Sequence, residues 1–283
     1  MTIAFSKYEG LGNDFIVIDD RQVKLEEAER LAPSLCDRHR GVGADGILLV
    51  GVRGASPRMR VINADGSRPQ MCGNGLRCVA LHIVRAGLSD GAMTVETDAG
   101  PHPVEVLKDG RVSVSMVPAS FAPGELPVIA DAPLIDAPFE VGGRTLAVTA
   151  VSMGNPHAVI FDTLGDDRWS LGPALGADAR FPQGVNVGFA QRTGPQAFEL
   201  HVLERGVGWT QACGTGACAA AAAAVTTKRA QEGHPIAITL PGGRLDITIG
   251  PPGQRIIMTG PARHVFEGQL DLALDEVRQQ RAR

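Results

Sequence analysis

The sequence predicts an α/β (α+β) chain built as two homologous lobes related by a pseudo-two-fold axis, each a curled sheet around one central helix. Three observations predict it. Short runs of alternating hydrophobicity bounded by Gly, Asp and Pro outnumber helical patterns. A set of motifs recurs in order at offsets of 141 to 143 positions. One stretch, Ala217-Cys218-Ala219-Ala220-Ala221-Ala222-Ala223-Ala224-Val225, has no polar face at all.

Arg111 to Met116 is the clearest strand, alternating in period two between Gly110 and Pro118. Helical periodicity covers Leu25 to His39 despite Pro33, and two further helices follow Cys72 and Cys213. In the repeat, Met71-Cys72-Gly73-Asn74-Gly75 answers Ala212-Cys213-Gly214-Thr215-Gly216, 141 positions on. Gly12-Asn13-Asp14 answers Gly154-Asn155-Pro156, Gly41-Val42 answers Gly184-Val185, and Pro118-Ala119 answers Pro261-Ala262. The lobes are expected over 1–118 and 119–262, joined by the Pro-rich stretch Pro118 to Pro138. The tail, 263–283, is expected to return to the first lobe, and its polar end, Arg278 to Arg283, to fray. A helix apolar all round must be buried all round. A sheet curled around the Ala217–Val225 helix meets that demand, with Cys78 to Val84 in the same part in the first lobe. An ordinary packed helix in a layered α/β fold is the alternative.

Composition narrows the function. The 283 residues are 44% hydrophobic and 20% charged, as in a soluble globular protein. A net charge of −4 speaks against a general nucleic-acid or acidic-membrane partner. No run reaches the ~18 apolar residues of a membrane span, and the amino-terminal residues lack a signal core. Five cysteines without CxxC spacing do not form a secreted disulfide framework. A cytoplasmic protein is expected.

The two cysteine motifs carry the chemistry. Each places a thiol on a glycine-rich turn at a helix start, where N–H groups and the macrodipole favour thiolate and lower its pKa towards neutrality. Glycines one and three residues on leave N–H groups open as a nest for a carboxylate. Two such nests facing each other would set a Cα between two sulfurs, one removing the α-proton and the other returning a proton from behind. A zinc site, a single cysteine nucleophile, and cysteines that are only small hydrophobes remain as alternatives. The last is the reading for Cys36, Cys78 and Cys218.

The chain resembles the diaminopimelate epimerases from Tyr8 to Gly268. The matching stretches include Gly10-Leu11-Gly12-Asn13-Asp14-Phe15, Asn63-Ala64-Asp65-Gly66-Ser67, the two cysteine motifs, Ser152-Met153-Gly154-Asn155-Pro156-His157, Glu204-Arg205-Gly206 and Leu240-Pro241-Gly242-Gly243. The resemblance implies two lobes, each a curled mixed β-sheet or barrel around a central helix, with the site in the cleft between them. It implies a homodimeric isomerase of lysine and peptidoglycan synthesis that interconverts LL- and meso-diaminopimelate without PLP, another cofactor or a metal. Its partners are the small-molecule substrate and a second copy, with no nucleic acid and no membrane. Carried over residue by residue, Cys72 is the base for the LL substrate and Cys213 the acid. Gly73-Asn74 and Gly214-Thr215 hold the carboxylate, while Asn13, Asn63, Asn155, Asn186, Glu204 and Arg205 make the remaining substrate contacts. His157 and Glu204 tune the thiols.

Chemistry agrees with the set, because the distal end of the substrate is a zwitterion. Arg205 can take its carboxylate bidentately and Glu204 can accept from its ammonium. Taken singly, Asn13 and Asn63 read equally as turn residues, Asn155 as a loop former, and Glu204-Arg205 as a surface pair. Three positions depart from the pattern. Gly46 stands where many members carry a substrate-contacting Gln, Trp209 where a small or acidic residue is usual, and Phe266 where some members have a Tyr at the dimer interface.

Overall fold

A computed structural model describes residues 2–53, 56–162 and 165–271; the frayed end expected at Arg278 to Arg283 lies outside them. The described residues divide into two compact units, one running up to Val114 and resuming at Gly260, the other Ser115–Thr259.

The first unit is built from β1 (Thr2–Gly10), β2 (Asn13–Asp19), α1 (Leu25–Leu35), β3 (Gly46–Arg53), β4 (Ser56–Asn63), α2 (Gly73–Arg85), β5 (Ala92–Thr97), β6 (Gly100–Val106) and β7 (Val112–Met116). The second follows the same plan. It has β8 (Ala137–Val141), β9 (Arg144–Ser152), β10 (Pro156–Ile160), α3 (Arg168–Gly176), β11 (Asn186–Gly194), β12 (Ala197–Glu204), β13 (Gly208–Thr210), α4 (Gly214–Thr226), β14 (Pro235–Leu240), β15 (Gly243–Thr248) and β16 (Ile256–Gly260). Finally β17 (Arg263–Asp271) pairs antiparallel with β1.

The strand pairings repeat in kind as well as in order. β1–β2 is antiparallel, β2–β3 parallel, β3–β4 antiparallel, β4–β5 parallel, β5–β6 and β6–β7 antiparallel. β9–β10, β10–β11, β11–β12, β12–β14, β14–β15 and β15–β16 run through the same series. β8 covers β9 in the second unit as β17 covers β1 in the first. The chain is therefore two repeated lobes of mixed sheet with few helices.

Each lobe wraps its sheet around one helix. α2 packs against β1 to β6 and β17, and α4 against β9, β10, β11, β12, β14 and β15. Ala217 to Ala224 are all buried, so every side of α4 meets a strand. Alanine makes this possible, since a larger side chain would hold the surrounding strands apart.

α1 packs on β3 and β4 with Ala28, Leu31, Ala32 and Leu35, spaced for one helical face. It ends at Leu35 rather than running on to His39. The carbonyls of Leu35 and Cys36 accept from Val42, Gly43 and Ala44, which fold back and consume them. The Asp37 carboxylate, accepting from the His39 and Arg40 N–H groups, fixes the turn instead. The counterpart α3 is absent from the sequence expectation, because Gly172, Pro173 and Gly176 mask its periodicity. Among the described residues no helix is long and apolar enough to cross a membrane.

Candidate active site

Cys72 and Cys213 are the N-cap residues of α2 and α4. Both have extended backbone, and each sulfur accepts a hydrogen bond from the N–H three residues on, Gly75 at 3.4 Å and Gly216 at 3.3 Å. The sulfur thus fills the role that a Ser, Thr or Asp oxygen normally fills. This differs from the expected nest in one respect: the third N–H is closed by the thiol itself. A Cβ at Gly216 would lie 3.1 Å from the Cys213 sulfur, and one at Gly75 would lie 3.0 Å from Leu48. Gly216 therefore makes room for the capping sulfur, and Gly75 for Leu48. The N–H groups of residues one and two further on have no acceptor inside their helix, as at any helix start.

In the first lobe, Asn13 follows a two-residue hairpin turn in which Leu11 and Gly12 both have positive φ, 59° and 80°. Its Oδ1 accepts from the Cys72 thiol at 3.8 Å and from Asn74 Nδ2 at 3.1 Å. Its Nδ2 donates to Asp45 at 2.7 Å. Behind Asn74 lies Arg77, which is fully buried and donates to Asn74 Oδ1 at 2.9 Å and to the Pro261 carbonyl at 3.0 Å. Asp45 and Asp14 both bind Arg38, and Asp14 also pairs with the buried Lys7 at 2.6 Å. Burial opposes ionisation of Asp14, but the bonds from Arg38 and Lys7 win and hold its carboxyl below the usual range. Asn63 stands apart, exposed, with its amide donating to Ser67.

In the second lobe, Cys213 is 4% exposed, whereas Cys72 is half-buried. The Cys213 sulfur lies 3.6 Å from Thr215 Oγ1, and the charge of the Glu204 carboxyl bears on it. Burial first, and then the Glu204 charge, push the Cys213 thiol up against the pull of the helix start. The expectation of a thiol near neutrality is overturned here: burial beside a carboxylate outweighs the cap. Glu204 is raised by burial and drawn back by its bonds from Thr210 and Cys213.

His157 does not touch either sulfur through the bonds seen here. Its Nε2 meets Asn155 Oδ1 at 3.1 Å, and Asn155 donates to Thr215 at 3.4 Å, so it acts on Cys213 only at second hand. Burial and then the nearby Arg205 charge lower it to about 3, so it is neutral. Asn186 is buried; it donates to the Pro156 carbonyl and accepts from the Arg205 N–H. Arg205 is exposed, with one guanidinium nitrogen on the Gln183 carbonyl. Asn155, Glu204 and Thr215 thus gather at Cys213, and Asn13 and Asn74 at Cys72. Sequence reasoning missed Arg77, Asp45 and Thr210. Only Arg77 left a signal, as a cation among the apolar residues of α2, whose other arginine, Arg85, stands at its end. Among the described residues no cluster of His, Cys, Asp and Glu could hold a metal ion.

The profile of the Diaminopimelate epimerase family matches residues 5–122 and 149–265. The chain belongs to the diaminopimelate epimerase family. It is 45% identical over 281 residues to the diaminopimelate epimerase of Synechococcus sp. (strain JA-3-3Ab), covering 94% of this chain and 97% of that one. It is 43% identical to that of Pseudomonas entomophila (strain L48), over 96% and 100% of the two chains. Solved structures with the same fold include a phenazine biosynthesis protein of the PhzF family from Bacillus anthracis, with a TM-score of 0.72 at 17% identity over 96% and 99% of the chains. A probable proline racemase from Agrobacterium radiobacter K84 follows at 0.68 and 17%, over 95% and 93%.

Within this diaminopimelate epimerase family chain, the three departures have physical counterparts. At Gly46 a Cβ would lie 2.5 Å from the Ile62 carbonyl oxygen, so the backbone here has no room for a side chain without shifting. Trp209 fills space that Gly172 leaves: a Cβ at 172 would meet the indole at 2.9 Å. The ring also lies edge-on to Trp169 at 4.6 Å and tilted over Phe189. Phe266 is 44% exposed on β17 and meets Phe5 edge-to-face at 5.9 Å.

Proposed function

We propose that the chain interconverts LL-2,6-diaminopimelate and meso-2,6-diaminopimelate by a two-base mechanism without PLP, in lysine and peptidoglycan synthesis. The observation that carries this reading is the pair of cysteine-capped helix starts, one in each repeated lobe of a diaminopimelate epimerase family member. Inversion by two bases requires one group to remove the α-proton while a second, already protonated, delivers a proton to the other face.

In the LL direction the Cys72 thiolate takes the α-proton and the Cys213 thiol gives one up. The product state holds a Cys72 thiol and a Cys213 thiolate, and the meso substrate runs the exchange in reverse. Gly73, Asn74, Gly214 and Thr215 offer helix-start N–H groups to the α-carboxylate. Such donors stabilise the charge that develops there as the proton leaves, each worth roughly 2.7–4 kcal/mol of barrier when placed for it. Asn13, Asn63, Asn155, Asn186, Glu204 and Arg205 bind the rest of the substrate. The upward push on the Cys213 thiol supports its role as the acid.

The protein is further proposed to be cytoplasmic and homodimeric through β17, where Val265 and Phe266 are 51% and 44% exposed. Sedimentation equilibrium reads that directly, and a monomer at micromolar concentration contradicts it. For the activity, reduced protein without added PLP should convert LL- to meso-diaminopimelate and leave proline unchanged. Cys72→Ser and Cys213→Ser should each lower turnover by roughly 10²–10⁴-fold, the usual contribution of a positioned acid or base. Full activity in either variant contradicts the assignment.

A further inference from the structure

On the two-thiol mechanism the sulfurs start in different protonation states although their caps are alike. The surroundings are not alike. The Cys72 thiol donates to the Asn13 side-chain amide, while the strand face beside Cys213 carries the Glu204 carboxyl. Thr210 Oγ1 donates to that carboxyl, at Glu204 Oε1, over 2.6 Å.

We propose that Thr210 is a positioning residue for Cys213: its hydroxyl holds the Glu204 carboxylate on the strand face that looks at Cys213, so this thiol enters the LL direction as the acid. The proposal rests on the two-thiol reading. Strand register supports it. β13 pairs antiparallel with the end of β12, Val202 opposite Thr210, Leu203 opposite Trp209 and Glu204 opposite Gly208. Side chains alternate along each strand, so Val202, Glu204 and Thr210 share one face. Gly208 puts no side chain across from Glu204, and the carboxyl is left to its diagonal neighbour, Thr210. The shared face looks at the helix start, because a Cβ at Gly216 would sit 3.1 Å from both the Val202 side chain and the Cys213 sulfur.

The opposite face anchors the strand. Trp209 is wedged against Trp169, Phe189 and Gly172, and the turn before it is closed by Val207 N–H donating to the Glu204 carbonyl at 3.1 Å. The hydroxyl is therefore held at a fixed place. At 2.6 Å the bond lies within the range of charge-assisted hydroxyl–carboxylate bonds. With Oε1 tied down, the carboxylate is held on that face.

Thr210→Val removes the hydroxyl at nearly constant shape, and Thr210→Ser keeps it. Thr210→Val is expected to lower kcat roughly ten- to hundredfold, the loss of one hydrogen bond to a charged group, with KM changed less than about twofold. The acid limb of its kcat/KM profile should move towards neutral pH, because Glu204 loses a bond that favours its ionised form. Thr210→Ser should restore both. An unmoved acid limb in Thr210→Val, or no rescue by Ser, overturns the proposal, since a merely structural role would not shift a titration. Alkylation of Cys213 by iodoacetamide across pH, read by peptide mass, supplies a measurement independent of turnover. Its midpoint should fall in Thr210→Val, and an unchanged midpoint overturns the proposal. Inactivity of the unmodified protein on diaminopimelate would instead sink the functional reading, with the alkylation profile still deciding the part played by Thr210.

Discussion

A thiol that caps a helix is held by the same N–H that would otherwise bond a serine or aspartate oxygen, and this is how the Cys72 and Cys213 sulfurs are both held here. What differs is the residue behind each. The sequence showed the two cysteines, the glycines beside them and the Asn, Glu and Arg set, because these stand in compact motifs. It did not show Thr210, Asp45 or the neutral state of His157, because these depend on strand register and depth of burial. His157 yields a prediction at this scale. Its folded pKa is depressed to about 3 by burial and then by Arg205, against an ordinary value near 6.5. The unfolded chain therefore takes the proton first as pH falls. Stability is complete above about pH 6.5 and is lost towards pH 3, at up to about 1.4 kcal/mol per pH unit. Urea unfolding between pH 6.5 and 4.5 should show this slope, and His157→Gln should flatten it. His82, also held down by burial, leaves a smaller residual slope. An equal slope in the variant contradicts the assignment.

Among the elements, those with a one-residue-type signal were the most legible. The alanine run of α4 announces a helix packed on every side, and every residue from Ala217 to Ala224 is indeed buried. α1 was legible from its apolar spacing but not at its end, where long-range bonds from Val42, Gly43 and Ala44 take the last carbonyls. α3 was illegible because two glycines and a proline lie inside nine residues. Gly172 has a packing reason. Gly172 lies beneath the Trp209 ring, 2.9 Å from where a Cβ would reach it. Gly172→Ala should therefore push Trp209 and Phe189 out of place and cost about 1–3 kcal/mol, as overpacked cores do. A denaturant midpoint that falls, with a changed tryptophan emission spectrum, is the expected result; unaltered stability contradicts the packing account.

At the scale of the whole chain the repeat was legible from motif spacing alone, and the strand pairings give it a reason. Both lobes run through one series of parallel and antiparallel pairs, and each delivers a cysteine to the start of its enclosed helix. Spacing could not reveal that β17 covers β1 as β8 covers β9, since the two strands stand at opposite ends of their lobes in sequence. On the proposed two-thiol reading, two copies of one half-site supply one group for each side of a carbon, and their different partners decide which thiol starts as the acid. The most direct measurement is reduced protein acting on LL-diaminopimelate in D₂O without PLP. At early times the meso product should carry one solvent deuterium at the inverted carbon while the remaining LL substrate stays unlabelled. Label entering the LL pool as fast as the meso pool, or meso product that keeps the original hydrogen, would contradict two thiols acting from opposite faces.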